Sequence, residues 1–153
     1  MLVASSVGCG SGEAGKEYSA TLSIDCTIIL SNADMLKEGK QRAVPPDGII
    51  MASTKVFFHE GESAFDVLKR ETMNNKIHLE FSLTPVHNSA YIEGIGNIYE
   101  FDCGQLSGWS YLVNGTAMKE SSSDYELKDG DIIEWRYSCN LGKDVGDKTL
   151  EGN

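Results

Sequence analysis

Residues 61–73 read GESAFDVLKRETM and carry the strongest helix signal in the chain. Gly61 interrupts the strand-like pattern of residues 49–59 that precedes it. Ser63 and Asp66 have the i, i+3 spacing of a capping box, with Asp where Glu or Gln is commoner. Four apolar residues then share one helical stripe: Ala64, Phe65, Val67 and Leu68. The pattern predicts one amphipathic helix over about 63–73, whose apolar face has to be covered by another layer of the fold.

Strand patterns lie on both sides of this helix. Before it, the runs at 18–30 and 49–59 are rich in β-branched residues and each predict a strand. After it, shorter segments of the same kind predict further strands: 77–83, 91–95, 98–101, 109–113 and 132–137. Asn114-Gly115 is a strong two-residue hairpin signal. One helix among so many strands predicts the α+β class, here a β-grasp (ubiquitin-like) fold in which a mixed sheet packs on one central helix, with short C-terminal hairpins.

The length of 153 residues favours one domain with tails. The predicted divisions are a tether at 1–17, a single domain at 18–146 and a disordered tail at 147–153. Within the domain, residues 18–54 form an N-terminal strand pair and residues 55–146 form the remainder. We expect the strand pair to belong to the same sheet as the later strands. From Asn140 onward, the polar and Gly-rich composition predicts a loosely held segment.

Charge and hydropathy exclude several classes of partner. Lys and Arg total 13 and Asp and Glu total 23, which gives a net charge of −10. Binding to nucleic acid or to an anionic membrane surface requires clustered positive charge, so neither is expected. No run of 18 apolar residues is present, so the sequence contains no candidate transmembrane helix.

The N-terminus suggests a lipid anchor. Ser6-Val7-Gly8-Cys9 and the Gly/Ser-rich stretch after it look like the end of a bacterial lipoprotein signal peptide, although Ser6 stands where Leu is usual. This interpretation predicts acylation of Cys9 and an extracellular protein held at the cell membrane only through that anchor. The alternative is a disordered tail in which Cys9 is incidental.

Three further cysteines, Cys26, Cys103 and Cys139, fit no zinc-binding spacing. In an oxidising exterior one bridge can form, and Cys103–Cys139 is the first candidate because each residue lies at or near the end of a predicted strand beside a loop. Closing that loop would stabilise the fold by about 3–4 kcal/mol. The alternative is that all three are small buried apolar side chains.

The sequence shows no catalytic motif. The three histidines have no partner at ligand spacing, and no nucleophile elbow, phosphate loop or dinucleotide motif is present. We therefore expect no enzyme and no cofactor. A metal site built from His59, His87 and scattered carboxylates is the weakest of the functions considered.

The segment Gly108–Gly115 stands out as a candidate ligand site. In a strand, Trp109, Tyr111 and Val113 share one face, and two amphipathic aromatic rings side by side would suit a planar, polar-rimmed ligand. Gly108 would let such a ligand approach the backbone closely. The alternative is that both aromatic rings pack on the predicted helix as core.

Residues 55–146 also carry a series of motifs, which are in chain order Gly61-Glu62-Ser63, Asp66-Val67-Leu68, Tyr91–Ile95, Phe101–Gly104, Ser107-Gly108-Trp109 with Tyr111, Val113-Asn114-Gly115, Lys128–Asp131, Ile133-Glu134-Trp135 and Tyr137–Gly146. On these motifs the chain resembles the transcobalamin C-terminal-like β-grasp domains of bacterial surface proteins, which are known mainly as a domain of unknown function. The resemblance implies a ligand-binding fold, with a corrinoid (a cobalamin-like molecule) as the candidate ligand. It also implies ligand contacts from Gly108, Trp109, Tyr111 and Asn114. The animal cobalamin carriers cover the other face of the corrin ring with a helical domain for which this sequence has no room, so we expect one open face.

Two main hypotheses follow. The first is a lipid-anchored, extracellular, non-enzymatic module that binds a small planar ligand. The second is a cell-surface interaction or structural module whose partner is another protein or a polymer. Whether Trp109 and Tyr111 meet a ligand or lie in the core discriminates between them.

Overall fold

The computed structural model describes residues 15–146. Cys9, most of the predicted tether and the predicted tail at 147–153 lie outside these residues. The elements in chain order are β1 (Glu17–Asp25), β2 (Ile49–His59), α1 (Ala64–Asn74), β3 (Leu79–Leu83), β4 (Ala90–Ile95), β5 (Ile98–Tyr99), β6 (Gly108–Val113), β7 (Thr116–Ala117) and β8 (Ile132–Ser138). Short 3₁₀ helices lie at Thr27–Ser31, Ala33–Met35, Gln41–Ala43 and Lys143–Val145. Within residues 15–146, none of the helices could cross a bilayer.

Five strands form the larger sheet, in the order β2-β1-β8-β6-β7. The first and last of its strands in the chain, β1 and β8, run parallel to each other, whereas the other neighbouring pairs are antiparallel. A parallel pair at the centre of a mixed sheet that packs against one helix is the β-grasp arrangement. The predicted α+β fold is therefore confirmed, and β1 and β2 lie in the same sheet as the later strands.

Helix α1 begins at the predicted capping box. The Ser63 side chain accepts a hydrogen bond from the Asp66 backbone N–H at 3.1 Å, and the Asp66 carboxylate accepts one from the Ser63 backbone N–H at 3.0 Å. The predicted apolar stripe is buried against the larger sheet, where Leu22, Ile24 and Trp135 are also buried. The helix therefore covers one face of the sheet, as the sequence pattern requires.

A second sheet, with the order β3-β4-β5, lies beside the larger one. The sequence predicted these strands but not that they form a separate sheet. The predicted end of the first strand was wrong. Strand β1 ends at Asp25 rather than residue 30, because the Asp25 side chain accepts hydrogen bonds from the backbone and the hydroxyl of Thr27 and turns the chain into a 3₁₀ helix.

The segment from Asn140 to Gly146 is held more firmly than its composition predicts. The Asp144 carboxylate accepts hydrogen bonds from the Ser138 hydroxyl at 2.5 Å and from the Cys139 backbone N–H at 2.8 Å. The backbone N–H of Gly142 donates to the Ser138 hydroxyl oxygen at 2.6 Å. These contacts fold the chain back against the end of β8, so the polar residues serve as local hydrogen-bonding partners and not as a solvated tail.

Candidate functional site

Tyr111, one of the predicted ligand contacts, lies in the core. It is opposite Trp135 in the β6–β8 pair, and the two rings are stacked with centroids 5.2 Å apart. Only 8% of Tyr111 is exposed, and its hydroxyl donates to the Glu120 carbonyl at 2.7 Å. Burial, with the charge of Glu120, raises its pKa. Tyr111 does share a face of β6 with Trp109, as the alternation of residues predicted, but at Tyr111 this face packs in the core and does not meet solvent.

Trp109 lies two residues earlier on the same face, at the edge of the core. Its indole N–H donates to the Ile98 carbonyl at 2.9 Å, and its ring packs edge-to-face against Tyr137 with centroids 5.3 Å apart. The side chain is half-buried and contributes to a surface groove. Its orientation is therefore fixed by the fold before any ligand arrives.

The two remaining predicted contacts lie at opposite ends of β6. Gly108 lines the groove beside Trp109. Asn114 forms the hairpin turn at the far end, where its side chain donates to Asp131 at 2.9 Å and accepts from the Ile132 backbone N–H at 2.9 Å. These two hydrogen bonds engage both the nitrogen and the oxygen of the Asn114 side chain and stabilise the turn. The structure thus brings Gly108 and Trp109 together and leaves Tyr111 and Asn114 out of the groove.

This groove, which we call the aromatic groove, lies between the loop at 100–107 and the loop at 138–142, with the start of β6 as its floor. Its volume is about 440 Å³. Its lining consists of aromatic, aliphatic and small polar residues: Tyr91, Glu100, Phe101, Gln105, Leu106, Ser107, Gly108, Trp109, Ser110, Ser138, Leu141 and Gly142. Four of the apolar or aromatic members are about half exposed, at 47–57%: Tyr91, Phe101, Leu106 and Leu141. A cluster of this kind on a monomer is commonly a binding surface.

Two of these exposed residues have an unusual backbone conformation. Phe101 has φ of 63° and Leu141 has φ of 50°, in the left-handed region that large L-residues rarely adopt. Each is held by a backbone hydrogen bond, from Phe101 N–H to Ser107 O at 3.0 Å and from Leu141 N–H to Leu106 O at 2.9 Å. Such a conformation costs about 1–3 kcal/mol. The fold thus keeps two apolar side chains in solvent at a cost in backbone strain.

A connected set of hydrogen bonds lies beneath the groove and fixes its walls. The Tyr137 hydroxyl lies 2.7 Å from the Tyr99 carbonyl, to which it donates, and 2.9 Å from the Ser107 hydroxyl. Ser107 in turn donates to Gly104 O at 2.8 Å and accepts from Cys103 N–H at 3.0 Å. A site that is already ordered loses less entropy when a ligand binds.

The rim of the groove is polar and negatively charged. The Tyr91 hydroxyl donates to the Glu100 carboxylate. This hydrogen bond, together with burial and the charges of Glu100 and Glu93, raises the pKa of Tyr91 to about 12. Near neutral pH the Tyr91 hydroxyl therefore keeps the proton that it donates to the Glu100 side chain. The groove suits a ligand with an apolar body and hydrogen-bond donors, and it disfavours an anion.

Sequence reasoning did not predict Tyr91, Phe101, Leu106 or Leu141 as ligand contacts, although all but Leu106 lie in the motifs that carry the family resemblance. Leu141 carried a weak signal, because it is a large apolar residue between Asn140 and Gly142 in an otherwise polar segment. The exposure of the other three follows from how two distant loops meet, which no local pattern encodes.

The cysteines within the described range are free, buried thiols, so the structure does not contain the predicted Cys103–Cys139 bridge. Cys103 and Cys139 are nevertheless buried in the same apolar cluster, and the bridge stays a prediction. The lipidation site Cys9 lies outside the described residues.

Neither His59 nor His87 takes part in a cluster of metal-ligating residues. Across residues 15–146, no group of three or more His, Cys, Asp or Glu side chains could hold a metal ion. His59 ends β2 and His87 lies in the turn between β3 and β4.

Comparisons with known proteins agree with this fold. The family model described as a domain of unknown function (DUF4430) matches residues 61–139, just over half of the chain. The crystal structure of haptocorrin in complex with Cbi superposes with a TM-score of 0.58 at 16% sequence identity, over 86% of this chain and 27% of that one. This chain thus spans about a quarter of haptocorrin, and at this identity the similarity establishes the fold alone.

A second solved structure is a candidate metal-binding protein from Ruminococcus gnavus. It aligns with 79% of this chain and 96% of its own length, at 14% identity and a TM-score of 0.46. A score below 0.5 does not establish a common fold. No curated protein matches this chain significantly.

Proposed function

The chain belongs to the DUF4430 family of domains of unknown function, and we propose that it is a non-enzymatic module that binds a small, largely apolar ligand in the aromatic groove. One observation carries the proposal: Phe101 and Leu141 hold apolar side chains in solvent from strained backbone positions, on opposite walls of one groove. Strain of this kind persists where the surrounding structure enforces it, and it concentrates at ligand sites.

The ligand class that we propose is a corrinoid, bound through one face. Support comes from the fold shared with haptocorrin, whose structure contains Cbi, and from the motif resemblance of residues 55–146. The groove volume of about 440 Å³ is in the range of small-molecule sites. Since the groove is open, we expect it to cover only part of such a ligand.

The test is a titration of the purified chain with cobinamide and cobalamin. Trp109 and Trp135 are the two tryptophans, so a Trp135→Phe variant leaves the groove residue as the single fluorescent reporter. We expect a saturable change in Trp109 emission and a matching heat signal by calorimetry, which is free of absorption by the corrinoid.

The matched control is Val86→Ala, which shortens a highly exposed apolar residue outside the groove. It should bind like the unaltered chain, whereas Trp109→Phe should bind about tenfold more weakly while staying folded. No saturable signal up to high micromolar ligand would end the corrinoid assignment.

We also propose that the module is extracellular and is held at the cell membrane by acylation of Cys9, which rests on the sequence Ser6–Cys9. Detergent-phase partitioning of the full chain expressed in a bacterium that processes lipoproteins tests this. The unaltered chain should enter the detergent phase and Cys9→Ser should remain in the aqueous phase. Equal partitioning of the two would remove the anchor.

A second candidate function is a surface module that pairs with a strand of another protein. It is favoured by β2, an eleven-residue edge strand of the larger sheet. Pairing at this edge would tolerate Trp109→Phe and would be abolished by a proline at Ser53 on the strand. Loss of partner capture from envelope extract in Trp109→Phe, but not in Ser53→Pro, would reject edge pairing.

A further inference from the structure

Cys103 and Cys139 are buried in the apolar cluster against which Trp109 of the aromatic groove packs. The loops that carry them are joined by the backbone hydrogen bond from Leu141 N–H to Leu106 O at 2.9 Å. The Cys103 thiol donates to the Asn32 carbonyl at 3.4 Å. Cys26 is buried in the same cluster, but it follows the end of β1 and belongs to neither wall of the groove. The structure therefore associates two of the three described cysteines with the groove and sets the third apart.

Each member of the pair belongs to a different wall of the groove. Cys103 lies between Phe101 and Leu106 in the loop at 100–107. Cys139 comes two residues before Leu141 in the loop at 138–142. A bond between the two sulfur atoms would join the walls at their base and restrain the loops that carry the strained apolar residues.

We propose that Cys103 and Cys139 form a disulfide that locks the two walls of the aromatic groove, so that oxidation of this pair sets how tightly the groove binds its ligand. The second half of this statement rests on the proposed function, whereas the cross-link itself does not. The oxidant is a small-molecule or protein disulfide. One cysteine thiolate attacks it and releases one thiol, and the second cysteine attacks the mixed disulfide and releases the other. Two protons and two electrons leave the cysteine pair as the S–S bond forms.

The surroundings of the pair make the cross-link persistent. Burial raises the pKa of both thiols. Neither is therefore a ready nucleophile in the folded protein. We expect the bond to form during folding in an oxidising compartment and to exchange slowly afterwards.

The cross-link is tested on the full chain with Cys9→Ser, which prevents bonds between chains through that residue. The protein is refolded with oxidised glutathione, and its thiols are counted in guanidinium before peptide mass mapping. We expect one free thiol, at Cys26, and one linked peptide pair with a mass loss of about 2 Da that contains Cys103 and Cys139. Three free thiols, or a bond to Cys26, would overturn the cross-link.

The coupling to the groove is tested by comparing oxidised and reduced protein with Trp135 replaced by Phe. Closing a loop of this length should raise the melting midpoint by roughly 8–15 °C. We expect the oxidised form to bind cobinamide about five- to tenfold more tightly, because its walls are already fixed. The Cys103→Ser variant should lose this redox response and Cys26→Ser should keep it. Equal affinity in both states would overturn the coupling.

If neither form binds the corrinoid, the ligand assignment fails and the coupling is decided by acrylamide quenching of Trp109. Quenching should be weaker in the oxidised protein because the restrained walls shield the indole. Equal quenching would overturn the coupling. The mass map still decides the cross-link, so failure of one proposal is distinguishable from failure of the other.

Discussion

Phe101 and Leu141 show how single residues in the groove depart from what stability alone favours. The left-handed conformation costs a large L-residue about 1–2 kcal/mol, and glycine would adopt it without that cost. Both side chains are about half exposed, so each gains only about half of the 1.5–3 kcal/mol that complete burial would give. The simplest account is that these positions are selected for what their side chains contact outside the fold.

This account predicts that Phe101→Gly separates stability from binding. Relief of the strain and the greater freedom of glycine in the unfolded chain oppose each other, so the free energy of unfolding should change by less than about 1 kcal/mol. Ligand affinity should fall about tenfold, because the apolar contact is lost. Urea unfolding and calorimetry measure the two quantities. A loss of more than about 3 kcal/mol of stability would instead make Phe101 a core residue.

Tyr111 gives the opposite prediction from Trp109, although the two share a face of β6. Replacing Tyr111 with Phe removes a buried hydroxyl that donates to the Glu120 carbonyl, which should cost about 1 kcal/mol of stability. Ligand affinity should stay within about twofold of the unaltered chain. A tenfold loss of affinity in Tyr111→Phe, at unchanged stability, would return Tyr111 to the site.

At the scale of elements, helix α1 followed most directly from the sequence. Its capping box and its apolar stripe are local patterns, and both determine structure within a few residues. Strand β6 was equally clear as a strand, but its environment was not. Its inner face is buried at Tyr111 and reaches the surface only at Trp109. The position of that transition depends on loops that are distant in sequence from Tyr111, so the sequence identified Trp109 and could not exclude its neighbour.

The capping box of α1 predicts a pH-dependent contribution to stability. Burial acts to raise the pKa of Asp66, but hydrogen bonds from Ser63 and the charges of Lys69 and Arg70 outweigh it, so the pKa lies below its usual value of 3.8. A lowered pKa stabilises the fold above the unfolded-state value, and this contribution is lost as the pH falls through the folded-state value. Asp66→Asn should therefore cost about 0.5–1 kcal/mol at pH 7.

The same difference should begin to shrink as the pH falls below about 4, where the carboxyl group of the unfolded chain becomes protonated, and should approach zero below the folded-state pKa, where it is protonated in both states. Urea unfolding of both proteins between pH 7 and pH 3 measures it. Glu126→Gln is the matched control, since it removes an exposed carboxylate outside the helix, and its effect should be small throughout. A stability difference for Asp66→Asn that is independent of pH would contradict the role of the charge.

At the scale of the whole molecule, the sheet joins the two ends of the described chain. Thr21 to Asp25 of β1 pair in parallel with Ile132 to Arg136 of β8. Leu22 and Ile24 on β1 are fully buried, and Val56 and Phe58 on β2 are nearly so. The family match begins at residue 61 and so omits both strands, although β1 is an interior strand of the larger sheet and pairs with β8 at its centre. The matched segment from residue 61 to residue 139 therefore covers only part of the folding unit.

This arrangement predicts that the chain from residue 61 onward does not fold alone. Loss of β1 and β2 removes six buried apolar side chains. Four of them, Leu22, Ile24, Val56 and Phe58, are worth about 1.5–3 kcal/mol each, and this sum is comparable to the 5–15 kcal/mol that stabilises a typical domain. The fragment should show no cooperative thermal transition and little dispersion in its proton NMR spectrum, whereas the full chain should show both. Adding the peptide 15–60 to the fragment should restore part of the signal, because the missing strands can pair without a covalent link. A fragment that melts cooperatively on its own would show that β3–β8 with α1 form an independent core, and that the N-terminal strands only extend it.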